Sequence, residues 1–333
     1  MRIAINVSVR STILLCLTVF ALQAAPRYEP EPLTPDPAAI NDPATADPVG
    51  PGTRGDAVIR AQILLDRAHF APGEIDGAYG RTLQKAIVAF QRAHNIEPSG
   101  IVDAPTWNAL NADKGPALVP YTIAQQDVAG PFEPKIPEDM VAKAELPALT
   151  YTSPIEGMSE TFHCSPKLLE ALNPGKDFTK AGEQLVGPNV NAPYFVKAAS
   201  LVVDKSDSSV SALDESGKVV AYYPATIGSK HDPLPVGTWK VTGVKRDPWF
   251  FYNASLFWDA KEKDATAKIH PGPNNPVGVA WIGLSKEHYG IHGTPEPSKI
   301  GRTHSHGCIR LTNWNVAELA SMVAPGTPAI LKD

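Results

Sequence analysis

The sequence predicts a multidomain protein: a mainly-β C-terminal domain, a sandwich or barrel with one late helix, behind a small three-helix unit and a small α+β module. Three observations carry that expectation. The chain has 333 residues, enough for two or more domains. Its 33 prolines gather in stretches that separate periodic segments. The periodicity also changes, from helical spacing in residues 53–113 to short β-rich runs in residues 196–333. Hydrophobic content of 43% suffices for sizeable cores. A net charge of −5 with no basic block points away from nucleic acid as a partner.

Residues 1–25 read as a secretory signal peptide. Arg2 and Arg10 supply positive charge, Thr12 to Leu22 is mostly apolar, and the small residues Ala24 and Ala25 follow. The apolar run is short for a membrane span, so no stable span is expected after cleavage. The mature chain is expected to be exported. It keeps two cysteines, Cys164 and Cys308, with Cys164 read as a buried, inert thiol. Residues 26–52 hold eight prolines among Ala, Asp, Glu and Thr, which predicts a disordered tether.

In the helical unit, 53–113, Val58, Ile59, Ile63 and Leu65 share one helix, and Leu83, Ile87 and Phe90 a second. Ala104 to Asn111, with Trp107 and Leu110, makes a third. Asp76-Gly77 and Ser99-Gly100 are the turns. Residues 114–145, with Pro116, Pro120, Pro131, Pro134 and Pro137, read as a linker. In the module at 146–190, a strand at Leu149–Ser153, two short helices and a strand near Leu185 fit the pattern. The last domain shows strand-like runs at Leu201–Val203, Val219–Tyr223, Trp239–Thr242, Val279–Ile282 and Ala329–Leu331. One helix is expected from Asn313 to Val323, capped by Asn313 or Asn315. Arg246 to Pro276, with Trp249-Phe250-Phe251-Tyr252, breaks the rhythm as a flap-like insertion would.

Chemistry concentrates between Tyr289 and Leu311. Cys308 follows Gly307, and His292 lies sixteen positions upstream. That spacing is too long for one helix face, but a chain that goes out and returns brings the two onto neighbouring strands. A thiolate is a nucleophile, and imidazole takes its proton or pairs with it as an ion. Gly307 permits close approach of a substrate backbone, with nearby N–H groups aimed at an oxyanion. A second chemistry uses the same residues. His288 and His292 at i, i+4, with His304, His306 and Cys308 alternating, have spacings that bind zinc, although His-Glu-x-x-His is absent.

His292-Gly293-Thr294 followed by Ser305-His306-Gly307-Cys308-Ile309-Arg310-Leu311 resembles the signature of the L,D-transpeptidases of bacterial cell-wall synthesis. Pro235-Val236-Gly237-Thr238-Trp239, Asn275-Pro276-Val277-Gly278 and Trp281-Ile282-Gly283-Leu284 resemble the segments leading to that site. The resemblance implies that Cys308 is the nucleophile and His292 its base, with the Gly293 carbonyl orienting the imidazole. Ser305, His306 and Gly307 would shape the loop and oxyanion hole, and Arg310 would hold the loop or a substrate carboxylate. It implies attack on the bond before the terminal D-alanine of a stem tetrapeptide, a thioester intermediate, and no cofactor or metal. The acceptor is left open: a diaminopimelate amine giving a 3–3 crosslink, an outer-membrane lipoprotein lysine, or water, which makes a carboxypeptidase. A reversed donor choice makes a crosslink hydrolase.

Residues 53–113 resemble a peptidoglycan-binding domain through Asp76-Gly77-x-Tyr79-Gly80-x-Thr82, Phe90-Gln91, Gly100-Ile101-Val102-Asp103 and Thr106-Trp107. Residues 146–190 resemble a LysM glycan-binding module at Leu172-Asn173-Pro174, but Glu156-Gly157-Met158-Ser159 stands where Gly-Asp-Thr-Leu is usual. Glycan strands and tetrapeptide stems are therefore the expected partners. With two modules that resemble binders, a non-catalytic wall-binding protein is the remaining alternative.

Overall fold

The computed structural model describes residues 32–190, 196–258, 260, 265–305 and 307–333. The signal-peptide stretch 1–25 lies outside them, as does His306. The described part of the expected tether, 32–52, is not a free chain. Helix α1 (Pro37–Asn41) starts on Asp36, whose carboxylate accepts from the Ala38 N–H at 2.9 Å. Pro37 sits in the first turn, where a missing N–H is harmless. Ile40 and Val49 are fully buried. Arg60 Nη1 donates to the Ile40 carbonyl (3.0 Å), Trp107 Nε1 donates to that of Asp47 (2.9 Å), and Val49 bridges Val102. Two apolar pegs suffice because the prolines have already removed much of the freedom that ordering would cost. Ile40→Ala should therefore destabilise the protein by about 2–4 kcal/mol, read as a lower denaturant midpoint. An unchanged midpoint would return this arm to solution.

Helices α2 (Asp56–Arg67), α3 (Arg81–Ala93) and α4 (Ala104–Leu110) close on Val58, Leu65, Leu83, Ile87, Phe90 and Trp107. Phe90 and Trp107 are core, not ligand platforms. The Asp76-Gly77 turn is tied to α2: Gln62 Oε1 accepts from the Gly77 N–H (2.8 Å), and Gln62 Nε2 donates to Asp76 (2.9 Å).

The next region corrects the expected linker. Strand β1 (Leu118–Thr122) lies inside it and pairs antiparallel with β2 (Gln184–Pro188). Leu118 and Ile123 are buried. Pro120 is tolerated because a two-stranded ribbon leaves one side of each strand unpaired. Between the strands run α5 (Gln125–Val128), α6 (Met140–Ala144), α7 (Pro154–Thr161) and α8 (Pro166–Leu172). The paired strands thus enclose four helices where two were expected, and residues 149–153, expected as the first strand, are not a strand. Leu149 instead donates to the Pro271 carbonyl (3.1 Å) and accepts from the Asn274 N–H (3.0 Å). Asn173 pins α8 to β2, donating to the carbonyls of Leu169 and Val186 and accepting from the Val186 N–H.

The remaining strands are β3 (Ser200–Asp204), β4 (Ser209–Leu213), β5 (Val219–Pro224), β6 (Thr226–Ile227), β7 (Gly237–Arg246), β8 (Phe250–Asn253), β9 (Thr266–Ile269), β10 (Ala280–Leu284), β11 (Gly290–His292), β12 (Ile309–Arg310) and β13 (Pro328–Lys332). Nine of them form one sheet in the order β5-β4-β3-β13-β7-β10-β11-β12-β6. Its two edges, β5 and β6, are joined through Ala225 alone, so the sheet curls until the edges meet. The domain is accordingly barrel-like and mainly β. Its core takes Leu201, Val203, Val241, Ile282, Ile291 and Ile309 from the strands, with Val316 and Leu319 from helix α9 (Asn313–Met322). The cap of α9 is Thr312, which accepts from the Asn315 N–H (3.3 Å), not either asparagine. The insertion is the antiparallel β8–β9 hairpin, with Phe251 and Trp258 exposed.

Leu33–Asp333 forms one compact unit. Tyr222 of β5 exchanges backbone hydrogen bonds with His69 and Ala71 of the helical unit, and Ile75 with the His163–Ser165 segment of the module. Among the described residues no helix is long and apolar enough to cross a membrane.

Candidate active site

The site is set by strand register. β11 and β12 are parallel neighbours, with Ile291 opposite Ile309 and His292 opposite Arg310. Side chains alternate along a strand, so Ile291 and Ile309 enter the core together, and both are fully buried. His292 and Arg310 take the other face, and Cys308, at the bend just before β12, lies beside Gly290, with the Arg310 charge reaching both it and His292. The sixteen-residue separation is therefore a crossover between parallel strands.

His292 is held on three sides. In the β10–β11 pairing it stands opposite Trp281, and the two rings stack at 5.4 Å and 13°. Gly290 makes room for the indole: a Cβ there would lie 2.4 Å from it. The imidazole Nδ1 lies 2.7 Å from the Gly293 carbonyl. A carbonyl only accepts, so Nδ1 carries the hydrogen and Nε2 keeps its lone pair. Burial, with the positive charge of Arg310, pushes the His292 pKa down to about 3; the Gly293 hydrogen bond pulls the other way. The imidazole is a neutral base.

Cys308 is partly exposed and not in a disulfide. Its thiol lies 3.7 Å from the His288 carbonyl. Burial raises its pKa, while a backbone hydrogen bond from Gly290 and the Arg310 charge hold it back. Arg310 thus favours a thiolate and opposes an imidazolium. Ser305, expected at the oxyanion or substrate site, is buried, and its hydroxyl donates to the Cys308 carbonyl at 2.5 Å. It latches the Cys308 backbone. Gly307 has φ +96°, and a Cβ on it would meet the Tyr289 ring at 3.0 Å. Gly307→Ala should strain this turn by about 1–3 kcal/mol and lower acylation by roughly tenfold or more. Wild-type turnover by that variant would show that the loop does not depend on its glycine.

Sequence reasoning missed Asn313, read there only as a helix cap. Its amide is buried against Gly278 and Gly293: an added Cβ would lie 2.1 Å from Asn313 Oδ1 at the first and 2.3 Å at the second. Its one signal is its place two residues after Leu311, at the head of α9. His304 is exposed. Among the described residues no three His, Cys, Asp or Glu side chains converge as a metal site requires.

Residues 198–331 match the family model of the L,D-transpeptidase catalytic domain, and residues 54–110 that of a peptidoglycan-binding domain. A Bacillus licheniformis protein named as the L,D-transpeptidase YkuD is 31% identical over 175 residues, which cover 52% of this chain and 90% of that protein. The chain belongs to the L,D-transpeptidase family. The Bacillus subtilis L,D-transpeptidase of the same name is 29% identical, again over 90% of its length. Among solved structures, L,D-transpeptidase 3 of Mycobacterium tuberculosis shares 16% identity at a TM-score of 0.34, covering 46% of this chain and 76% of that one. An L,D-transpeptidase's substrate is peptidoglycan, and the helical unit at 54–110 suits association with the cell wall.

Proposed function

We propose that this enzyme transfers the tripeptide acyl group of a peptidoglycan stem tetrapeptide through a Cys308 thioester. One observation carries the reading: the parallel register of β11 and β12 puts Cys308, at the bend just before β12, beside the strand that ends in His292, whose Nδ1–H is bound to the Gly293 carbonyl with Nε2 left as the base. With the thiol raised and the imidazole lowered, the free enzyme holds a neutral pair. His292 Nε2 then takes the thiol proton as Sγ attacks the carbonyl before the terminal D-alanine. Gly307 and Cys308 N–H groups face the oxyanion. The tetrahedral adduct collapses, the C–N bond breaks, and D-alanine leaves with the proton from His292. An amine then attacks the thioester, His292 takes its proton, and the thiol is restored.

The diaminopimelate amine of a second stem is the acceptor we favour, giving a 3–3 crosslink; a lipoprotein lysine is the same chemistry on another amine. The residue 1–25 pattern supports export, and the periplasm is the compartment we propose for this reaction. Incubation with a disaccharide tetrapeptide, followed by intact-protein mass spectrometry and product analysis, tests the reading. An acyl adduct, D-alanine release and dimer are the expected result. An adduct that yields only tripeptide would move the assignment to a carboxypeptidase. No adduct would remove the thiol mechanism.

A further inference from the structure

We propose that Glu160, contributed by the middle module, is a positioning residue for the catalytic histidine, acting through Asn313 on Gly293. The proposal rests on the thiol mechanism above. Asn313 Nδ2 donates to both carboxyl oxygens of Glu160, at 3.0 and 3.1 Å, and to the Pro273 carbonyl at 3.0 Å. Its Oδ1 accepts from the Val279 N–H at 3.3 Å. The amide can neither rotate nor withdraw while those bonds hold. Its Oδ1 is packed against Gly278 and Gly293, whose backbones themselves touch: a Cβ on Gly278 would lie 2.7 Å from Gly293 Cα. Gly293 carries the carbonyl that fixes the His292 tautomer. Glu160 is therefore three links from the imidazole, each one a hydrogen bond or a packed backbone.

Glu160 is itself held by its own module. Tyr151 Oη donates to it at 3.3 Å, and Glu156 beside it accepts from Asn274 Nδ2 at 3.0 Å. Burial pushes the Glu160 carboxyl up to about 7, and the charges of Glu156 and Glu74 add to the rise; Asn313 and Tyr151 oppose it. The neutral acid still offers Asn313 a carbonyl oxygen. The clamp is thus geometric, and a glutamine serves where a leucine does not. The middle module would on this account be part of the catalytic apparatus, whatever it binds.

The test compares wild type, Glu160→Leu, Glu160→Gln and Asn313→Ala, with His163→Ala as a control. His163 lies in the same joint, bonded to Asp66 and stacked on Trp314, and is not among the hydrogen-bond partners of the Asn313 side chain. Single-turnover acylation of Cys308 by the tetrapeptide and the His292 Nδ1–H proton resonance are measured. Glu160→Leu is expected to lose roughly 10- to 100-fold in kcat with little change in KM, and to lose or broaden that resonance. Glu160→Gln should recover most of both, and His163→Ala should keep the wild-type rate. The double variant Glu160→Leu/Asn313→Ala should be no slower than the worse single one, since both cut one linkage. Equal rates for Glu160→Leu and wild type, additive losses in the double variant, or an equal loss in His163→Ala would overturn the proposal. If wild type forms no adduct, the thiol mechanism falls first and the proposal with it. A Glu160→Leu chain that fails to fold leaves Asn313→Ala and Glu160→Gln to decide by the same resonance.

Discussion

Cys308→Ala protein is expected to fold, to bind its substrate, and to release no D-alanine from a disaccharide tetrapeptide. The fold survives because the thiol contributes little to it. The side chain is partly exposed, and its hydrogen bond to the His288 carbonyl is a long 3.7 Å. The backbone around it is held by groups the substitution leaves in place: the Ser305 hydroxyl on the Cys308 carbonyl, and Ile309 in the core. The stability change should be under about 1 kcal/mol, which moves Tm by only ~2–4 °C in a chain of this size. Activity should fall by at least ~10,000-fold, as it does when the nucleophile of a covalent mechanism is removed. No neighbour replaces it. Cys164 is buried in the module core with its thiol pushed far up by burial. The Ser305 hydroxyl is already spoken for. Mass spectrometry should show the adduct in wild type and none in the variant. D-alanine release above background by the variant would assign the nucleophile elsewhere.

What sequence made visible was whatever is local. His292 and Cys308 stand in a continuous stretch with their glycines, and the β-rich runs at 201–203, 219–223, 239–242, 279–282 and 329–331 all lie in observed strands or at their edges. What it hid was whatever depends on a distant partner. Proline counts made an arm look free when Ile40 and Val49 had pockets waiting, and made β1 look like a linker when its hydrogen bonds go to β2. Asn313 had the composition of a cap and sits at the start of a helix, yet Thr312 takes that role and Asn313 turns to a carboxyl 153 residues away. The resemblance gives Ser305 a place in the loop and oxyanion hole; the folded loop adds that its hydroxyl donates to the Cys308 carbonyl. The orienting role that the resemblance gives the Gly293 carbonyl acquires its geometry only in the fold, where it lies 2.7 Å from His292 Nδ1.

The imidazole's tautomer and its surroundings give His292→Ala a distinctive signature. Near pH 7 the variant should lose at least ~100-fold in acylation, the usual weight of a general base. The pH dependence says more than the loss. With the His292 pKa near 3, the wild-type imidazole is unprotonated above that value and protonated below it. The acid limb of kcat/KM should therefore lie near pH 3, leaving a level stretch across about pH 5–8. An enzyme that rested as a thiolate–imidazolium pair with an ordinary histidine would instead change protonation near pH 6–7. Without His292, solvent must remove the thiol proton, and the thiol lies above its usual range. The variant's rate should then climb with pH, and its deficit should shrink as the thiolate fraction grows. Arg310→Gln probes the same balance from the other side. Loss of the guanidinium raises both the imidazole and the thiol, so the acid limb and the alkaline rise in alkylation by iodoacetamide both move to higher pH. A His292→Ala deficit that stayed constant from neutral to alkaline pH would mean that the imidazole shapes the site without moving the proton.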